Sequence, residues 1–83
     1  MNFGEALKAL KEGKALSRRG WNGKGIYLKL QIPDEHSKMT LPYIYIVTNG
    51  LQSDNPAAPR GVVPWLGSQT DILAEDWEVV EGN

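Results

Sequence analysis

The sequence contains no cysteine and only one histidine, His36, which excludes disulfides and most compact metal sites. We therefore expect no metal ion and no cofactor. No apolar run approaches the roughly 20 residues that a membrane span requires. The N-terminus has no cationic segment followed by an apolar stretch, as a signal peptide would. These absences predict a cytoplasmic domain without a membrane anchor.

A surplus of charge of one sign is also absent. The 83 residues include 9 Lys and Arg and 10 Asp and Glu, which gives a formal net charge of −1. Binding to DNA or to an anionic membrane relies on a surplus of basic residues, which this sequence lacks. Neither is therefore an expected partner. A single domain over residues 1–83 buries only about 60–65% of its unfolded surface. Without disulfides or a metal, oligomerisation is the remaining means of stabilisation.

Periodicity predicts an α+β fold with a small antiparallel sheet. Asn2 and Glu5 form a capping-box pattern at the start of an N-terminal helix, and Gly13 ends that helix. Strands are predicted where apolar residues alternate, and a short second helix is predicted near the C-terminus. The predicted elements after the first helix are strands at 14–19, 26–32, 41–48 and 62–65, a helix at 69–75 and an edge strand at 77–81. Residues 33–40 and 51–61 are predicted to be loops.

No group of residues predicts catalysis. His36 has no orienting partner nearby, and no serine lies in a nucleophile-elbow context. The glycine-rich stretch 20–25 lacks the Lys-Ser or Lys-Thr step of a P-loop. Asp71, Glu75 and Asp76 form an acidic cluster that helix solvation and the helix dipole explain better than catalysis. The sequence therefore predicts a binding protein rather than an enzyme.

Trp21 is the first candidate binding residue. It lies in a glycine-rich turn beside Arg18, Arg19, Asn22 and Lys24. The Asn-Gly step predicts a tight turn, because both residues tolerate positive φ, and so a hairpin that displays Trp21 at its tip. An exposed tryptophan can stack on a base while arginines bind phosphate. Alternatively, Trp21 folds back onto the core and the basic residues remain solvated.

A second candidate region surrounds Trp65. Ser68 and Asp71 form another capping pattern, and the free amides of a helix N-terminus attract anions. Ser68, Gln69 and Asp71 could therefore bind ribose or base edges. The alternative is ordinary capping by Ser68 and core packing by Trp65. Trp77 is expected in the core, since it lies beside valines on a strand.

Three blocks of sequence occur together in this chain. They are Phe3-Gly4-Glu5-Ala6-Leu7 with Gly13, Arg19-Gly20-Trp21-Asn22-Gly23-Lys24-Gly25, and the stretch from Pro64-Trp65 through Ser68-Gln69-Thr70-Asp71 to Asp76-Trp77. In combination they resemble a family of short phage and prophage proteins that includes the second type of Thoeris anti-defence protein. The likeness covers both ends of the chain, and residues 33–60 match little.

This resemblance implies a phage "sponge", a protein that sequesters an immune signal. Such sponges bind glyco-cyclic ADP-ribose, made by the Thoeris TIR-domain protein, and hold it without cleaving it, so the effector is not activated. Some relatives also hold cyclic oligonucleotides of CBASS defence. The resemblance further implies a homotetramer, a dimer of dimers with ligand pockets between subunits. That assembly agrees with the oligomer expected from the size of the domain.

The resemblance also suggests roles for individual residues. It implies that Trp21 stacks on adenine with Asn22 and Lys24 nearby, and that Arg18 or Arg19 neutralises a phosphate. The remainder of the pocket would be lined by Trp65, Ser68, Gln69 and Asp71.

Two other classes of function remain as alternatives at this point. One is an enzyme that degrades the nucleotide. The other is a phage accessory protein that binds a host protein through Trp21 and Trp65, since aromatic residues are favoured at interfaces.

Overall fold

The computed structural model describes residues 1–52, 54–57 and 60–80. It confirms the predicted α+β class, with a helix at the N-terminus, an antiparallel sheet and a short helix near the C-terminus. The elements are α1 (Phe3–Lys11), β1 (Leu16–Arg18), β2 (Tyr27–Gln31), β3 (Tyr43–Val47), β4 (Val62–Pro64), α2 (Gln69–Leu73) and β5 (Trp77–Val79). Residue 81 of the predicted last strand and residues 53, 58 and 59 of the predicted loop lie outside the described residues.

Helix α1 begins and ends as the sequence predicts. The Asn2 side chain accepts a hydrogen bond from the Glu5 amide at 2.8 Å, and the Glu5 carboxylate accepts one from the Asn2 amide at 3.0 Å. Gly13 follows the helix with a φ of +90°, a conformation that glycine adopts without a steric penalty. The inward face of α1 buries Ala6 and Leu10 completely or nearly so.

The five strands form one antiparallel sheet in the order β4-β3-β2-β1-β5. Strands β2 and β3 pair along their full lengths, while β1 pairs with β5 on its other side. Strands β4 and β5 therefore lie at the edges, as predicted for the last strand. Pro64 has no amide hydrogen to donate, which is tolerated on the edge strand β4. Neither helix in the described ranges is long and apolar enough to cross a bilayer.

The core lies between α1 and one face of the sheet. Leu28 on β2 is fully buried, as its alternation with polar neighbours predicts. Trp77 on β5 is 2% exposed, which confirms its predicted core position. Its ring lies 5.4 Å from the rings of Phe3 and Trp21 and 6.0 Å from that of Trp65. An aromatic cluster thus joins both ends of the chain.

The opposite face of the sheet is not covered by either described helix. Residues paired in register on antiparallel strands point to the same face, so the pairing identifies its members. This outer sheet face carries Tyr27, Lys29, Gln31, Tyr43, Tyr45, Val47, Val62 and Pro64. Several of these residues line an open hollow of about 400 Å³. A solvated sheet face is commonly polar, so the tyrosines and valines give this one an unusually apolar character.

Strands β1 and β2 pair antiparallel, as the predicted hairpin requires, but the loop between them is not the predicted tight turn. A tight turn at Asn22 would need a positive φ there, but in the described part of the chain only glycines have one. Gly25 has a φ of +85°, and a Cβ at this position would overlap the Gly50 carbonyl oxygen. Residues 19–26 instead form a longer loop, which begins with a turn in which the Trp21 amide donates to the Arg18 carbonyl at 3.1 Å. The prediction that a hairpin tip displays Trp21 is therefore wrong, because its ring is half-buried against the core.

Candidate functional site

A cleft between two tryptophans contains several of the predicted site residues. Its volume is about 230 Å³, and four of the nine predicted ligand-binding residues line it. We call it the Trp21–Trp65 cleft. Its lining consists of Trp21, Asn22, Gly23, Ile26, Ile46, Trp65 and Asp71. The fold thus brings the loop after β1 and the segment after β4, far apart in sequence, into one site.

Both tryptophans of the cleft pack against the buried Trp77. The Trp21 ring meets the Trp77 ring at an interplanar angle of 79°, and the Trp65 ring meets it at 89°. Phe3 contacts the Trp65 ring as well, at 6.0 Å between centroids. Edge-to-face pairs contribute about 0.5–1.5 kcal/mol beyond the buried area. Each indole is therefore held by the core while it also lines the cleft. Core packing and ligand contact, the two alternatives predicted for these tryptophans, are thus compatible.

Asp71 fixes the orientation of Trp21 from the other side. Its Oδ1 accepts hydrogen bonds from Trp21 Nε1 at 3.0 Å and from Arg18 Nη1 at 2.7 Å. Its Oδ2 accepts one from Ser68 Oγ at 3.0 Å. The backbone carbonyl of Asp71 accepts a further hydrogen bond from Trp77 Nε1 at 3.0 Å. The indole N–H groups of Trp21 and Trp77 both donate to the same residue, which ties α2 to the aromatic cluster.

Arg18 is paired with two carboxylates. Its Nε donates to Asp76 Oδ1 at 2.8 Å, its Nη1 donates to Asp71, and only 16% of its side chain is exposed. The second oxygen of Asp76 accepts the Gly20 amide at 2.7 Å. One cation between two anions leaves this group net negative. The two carboxylates neutralise the guanidinium charge, which weakens its attraction for a phosphate.

The pairing shifts the pKa of all three groups. Hydrogen bonds to Asp76 first, and then to Asp71, raise the pKa of Arg18 above its ordinary value. The hydrogen bond from Arg18 lowers the pKa of Asp76 below 3.8, and the Gly20 amide adds to this. Burial raises the pKa of Asp71, but hydrogen bonds from Trp21, Arg18 and Ser68 outweigh burial and the pKa is lowered. Both carboxylates are consequently ionised at neutral pH.

The remaining predicted residues lie at the surface. Arg19 and Lys24 are exposed in the same loop as Trp21, and Lys24 Nζ donates to the Arg19 carbonyl at 2.8 Å. Ser68 is the N-cap of α2, where its Oγ accepts the Asp71 amide at 3.1 Å, as ordinary capping predicts. Gln69 is exposed in the first turn of α2.

Three lining residues, Gly23, Ile26 and Ile46, were not predicted as part of the site. Alternation places Ile46 on the inner face of β3, but it does not tell which inner residue faces the gap between the tryptophans. That depends on how the 19–26 loop packs beside β3. Among the residues that the structure describes, no three His, Asp or Glu side chains are grouped to hold a metal ion.

Acidification is expected to destabilise the fold through Asp71 and Asp76. A carboxyl group with a lowered folded pKa contributes stability that is present above its unfolded pKa and is lost as pH falls through the folded pKa. The ordinary pKa of both groups is 3.8. The free energy of unfolding, measured in urea, should therefore vary little through these two groups at neutral pH and decline below about pH 4.

Asp76→Asn and Glu75→Gln form a matched pair for this measurement, since each removes one negative charge at neighbouring positions. Asp76→Asn weakens the contact with Arg18, and we expect lower stability at neutral pH and a shallower acid decline. Glu75 is exposed, and Glu75→Gln should retain the wild-type profile. Superimposable profiles for wild type and Asp76→Asn would show that the ion pairs contribute no pH-dependent stability.

Comparison with known proteins agrees with the sequence resemblance. Residues 1–80 match the family model of the Thoeris anti-defense 2-like domain. The match extends through residues 33–60, where the motifs gave little likeness. The chain is also similar to Thoeris anti-defense 2 of Bacillus phage SP01, with 39% identity over 84 aligned residues that cover 96% of this chain and 94% of that protein. The chain therefore belongs to the Thoeris anti-defense 2-like family.

Proposed function

We propose that this chain is a phage anti-defence protein that binds a cyclic nucleotide signal of bacterial immunity and sequesters it without cleavage. The first candidate ligand is glyco-cyclic ADP-ribose of Thoeris, and cyclic oligonucleotides of CBASS are the second. Binding in the cytoplasm of the infected bacterium would keep the effector inactive. The observation that carries this proposal is the Trp21–Trp65 cleft, which presents two indoles held in place by Trp77 in a chain of the Thoeris anti-defense 2-like family.

The aromatic lining suits a nucleobase. Stacking of a base on an aromatic side chain contributes about 1–3 kcal/mol. Both indoles are already held by Trp77, so little side-chain freedom is lost when a base enters. Ile46 adds an apolar side chain to the lining of the cleft. The cleft is thus preorganised for a flat, weakly polar group.

The charges around the cleft suggest how the rest of the ligand lies. Asp71 is an anion whose Oδ2 accepts one described hydrogen bond, from Ser68, so it can accept another from a ribose hydroxyl or an exocyclic amine. The same charge disfavours phosphate close to it. Arg18 is already shared between two carboxylates, so we assign the phosphates to Arg19 and Lys24. This assignment chooses Arg19 over Arg18, a choice that the resemblance left open.

The composition of the cleft supports binding without cleavage. The titratable residue in its lining is Asp71, and its lowered pKa makes it neither an effective general acid nor an effective general base at neutral pH. His36 lies in the 33–40 loop and is exposed, with its Nε2 at 3.5 Å from Oε1 of Glu35. We therefore favour a sponge over a nucleotide-degrading enzyme.

Isothermal titration with glyco-cyclic ADP-ribose tests the site. Trp21→Ala and Trp65→Ala should each weaken binding about 5- to 150-fold, which corresponds to the loss of one stacking contact. Lys24→Ala should weaken binding and reduce its dependence on salt, because a phosphate contact is lost. Lys8→Ala, a charge removal on the exposed side of α1, should have no effect.

The ligand should be recovered unchanged by chromatography after heat denaturation of the complex. Recovery of a cleaved product would instead support the enzyme class. If both tryptophan variants bound with wild-type affinity, the cleft would not be the site.

We further propose that the functional form is a homotetramer built as a dimer of dimers. Two features support self-association. The outer sheet face carries three half-buried tyrosines and Val62, which is 54% exposed. In addition, the cleft of about 230 Å³ is smaller than the roughly 300–1,000 Å³ of typical small-molecule pockets, so a second subunit would complete the enclosure of a dinucleotide-sized ligand.

Light scattering coupled to gel filtration tests the assembly. Four chains of 9.2 kDa give about 37 kDa. Tyr45→Glu places a charge in the centre of the outer sheet face and should reduce the mass to that of a dimer or a monomer. Ile32→Glu, at a residue that is 63% exposed, is the matched control and should leave the mass unchanged. A monomeric wild-type protein would contradict the proposed assembly.

A further inference from the structure

Gly67 lies against the indole of Trp65 in the segment between β4 and α2. A Cβ built on Gly67 would lie 2.5 Å from Cη2 of Trp65, 2.9 Å from Cζ3 and 3.0 Å from Cζ2. Non-bonded carbon atoms pack at about 3.5–4.0 Å. Any other residue at this position would therefore overlap the six-membered ring of the indole.

The backbone itself does not require glycine at position 67. Positive φ values among the described glycines occur at Gly13 and Gly25, not at Gly67. An L-amino acid could adopt the backbone conformation of Gly67 without strain of the left-handed kind. The lack of space for a side chain, and not the backbone angles, therefore favours glycine at position 67.

A side chain at position 67 would move one lining residue of the cleft. The Trp65 ring is held by Phe3 and Trp77 at centroid distances of 6.0 Å each. A ring displaced by the new side chain would alter its packing against these two residues. Because the same indole lines the cleft, the shape that the cleft offers to a ligand would change as well.

We propose that Gly67 is a specificity-determining position of the Trp21–Trp65 cleft. Its hydrogen side chain leaves the space that the Trp65 indole occupies, and this sets the separation of Trp65 from Trp21 to admit a planar heteroaromatic base. The role is one of positioning, since Gly67 acts through Trp65. It rests on the proposed nucleotide-binding function.

Gly67→Ala and Gly61→Ala form a matched pair of variants. A Cβ on Gly61 would meet no atom within 4 Å, so Gly61→Ala controls for adding a methyl group to a glycine on the other side of β4. With glyco-cyclic ADP-ribose as the probe, we expect Gly67→Ala to bind about tenfold more weakly or worse. Gly61→Ala should bind like wild type. Near-ultraviolet circular dichroism should change in Gly67→Ala only, because Trp65 moves relative to Trp77.

The Trp65→Phe background separates a ring displacement from a backbone effect. Phenylalanine lacks the far ring atoms that the alanine methyl would overlap, so Gly67→Ala should cause no further loss of affinity in Trp65→Phe. If Gly67→Ala alone failed to fold, adding Trp65→Phe should restore folding. An equal loss in both backgrounds, or a double variant that stays unfolded, would overturn the proposal.

Two other results distinguish this proposal from the proposed function. Wild-type affinity in Gly67→Ala, with a wild-type protein that binds the probe, would overturn the role of Gly67 alone. A wild-type protein that does not bind the probe would overturn the proposed function for this signal and the specificity role with it.

Discussion

Trp77 is buried where α1, the 19–26 loop and the segment before β5 meet, and the rest of the site depends on its position. Its ring contacts those of Phe3, Trp21 and Trp65, and its Nε1 donates to the Asp71 carbonyl. A chain of 83 residues without cysteine has few means of holding distant segments together. Trp77 connects α1, the 19–26 loop, the segment after β4 and α2, and two of its neighbours line the cleft.

The charged group beside the cleft complements this packing. Arg18 joins β1 to α2 through Asp71 and to the start of β5 through Asp76. Taking an ion out of water carries a desolvation cost, which close pairing and additional hydrogen bonds offset here. Trp21 Nε1 shares the Asp71 oxygen with Arg18. Arg18 therefore has a structural role, and the exposed cations of the loop remain available for an anionic ligand.

Local sequence signals predicted the elements well, because capping and alternation act over a few residues. The capping box at Asn2 and the N-cap at Ser68 are both present, and Trp77 lies in the core as expected. The tight turn at Asn22 is absent, and the loop instead packs Trp21 against Trp77 and brings Gly25 close to Gly50. The partners of Arg18 lie more than 50 residues away, and the role of Gly67 depends on the Trp65 side-chain position. Neither the partners of Arg18 nor the role of Gly67 can be deduced from spacing along the chain.

The central claim is that a base enters between Trp21 and Trp65 while Trp77 stays beneath them in the core. The three tryptophans give three indole N–H signals in a ¹H–¹⁵N spectrum of labelled protein. On titration with glyco-cyclic ADP-ribose, the account predicts large shifts for the signals of Trp21 and Trp65 and a smaller shift for that of Trp77. Saturable binding that leaves the Trp21 and Trp65 signals in place, with shifts confined to the outer sheet face, would contradict it.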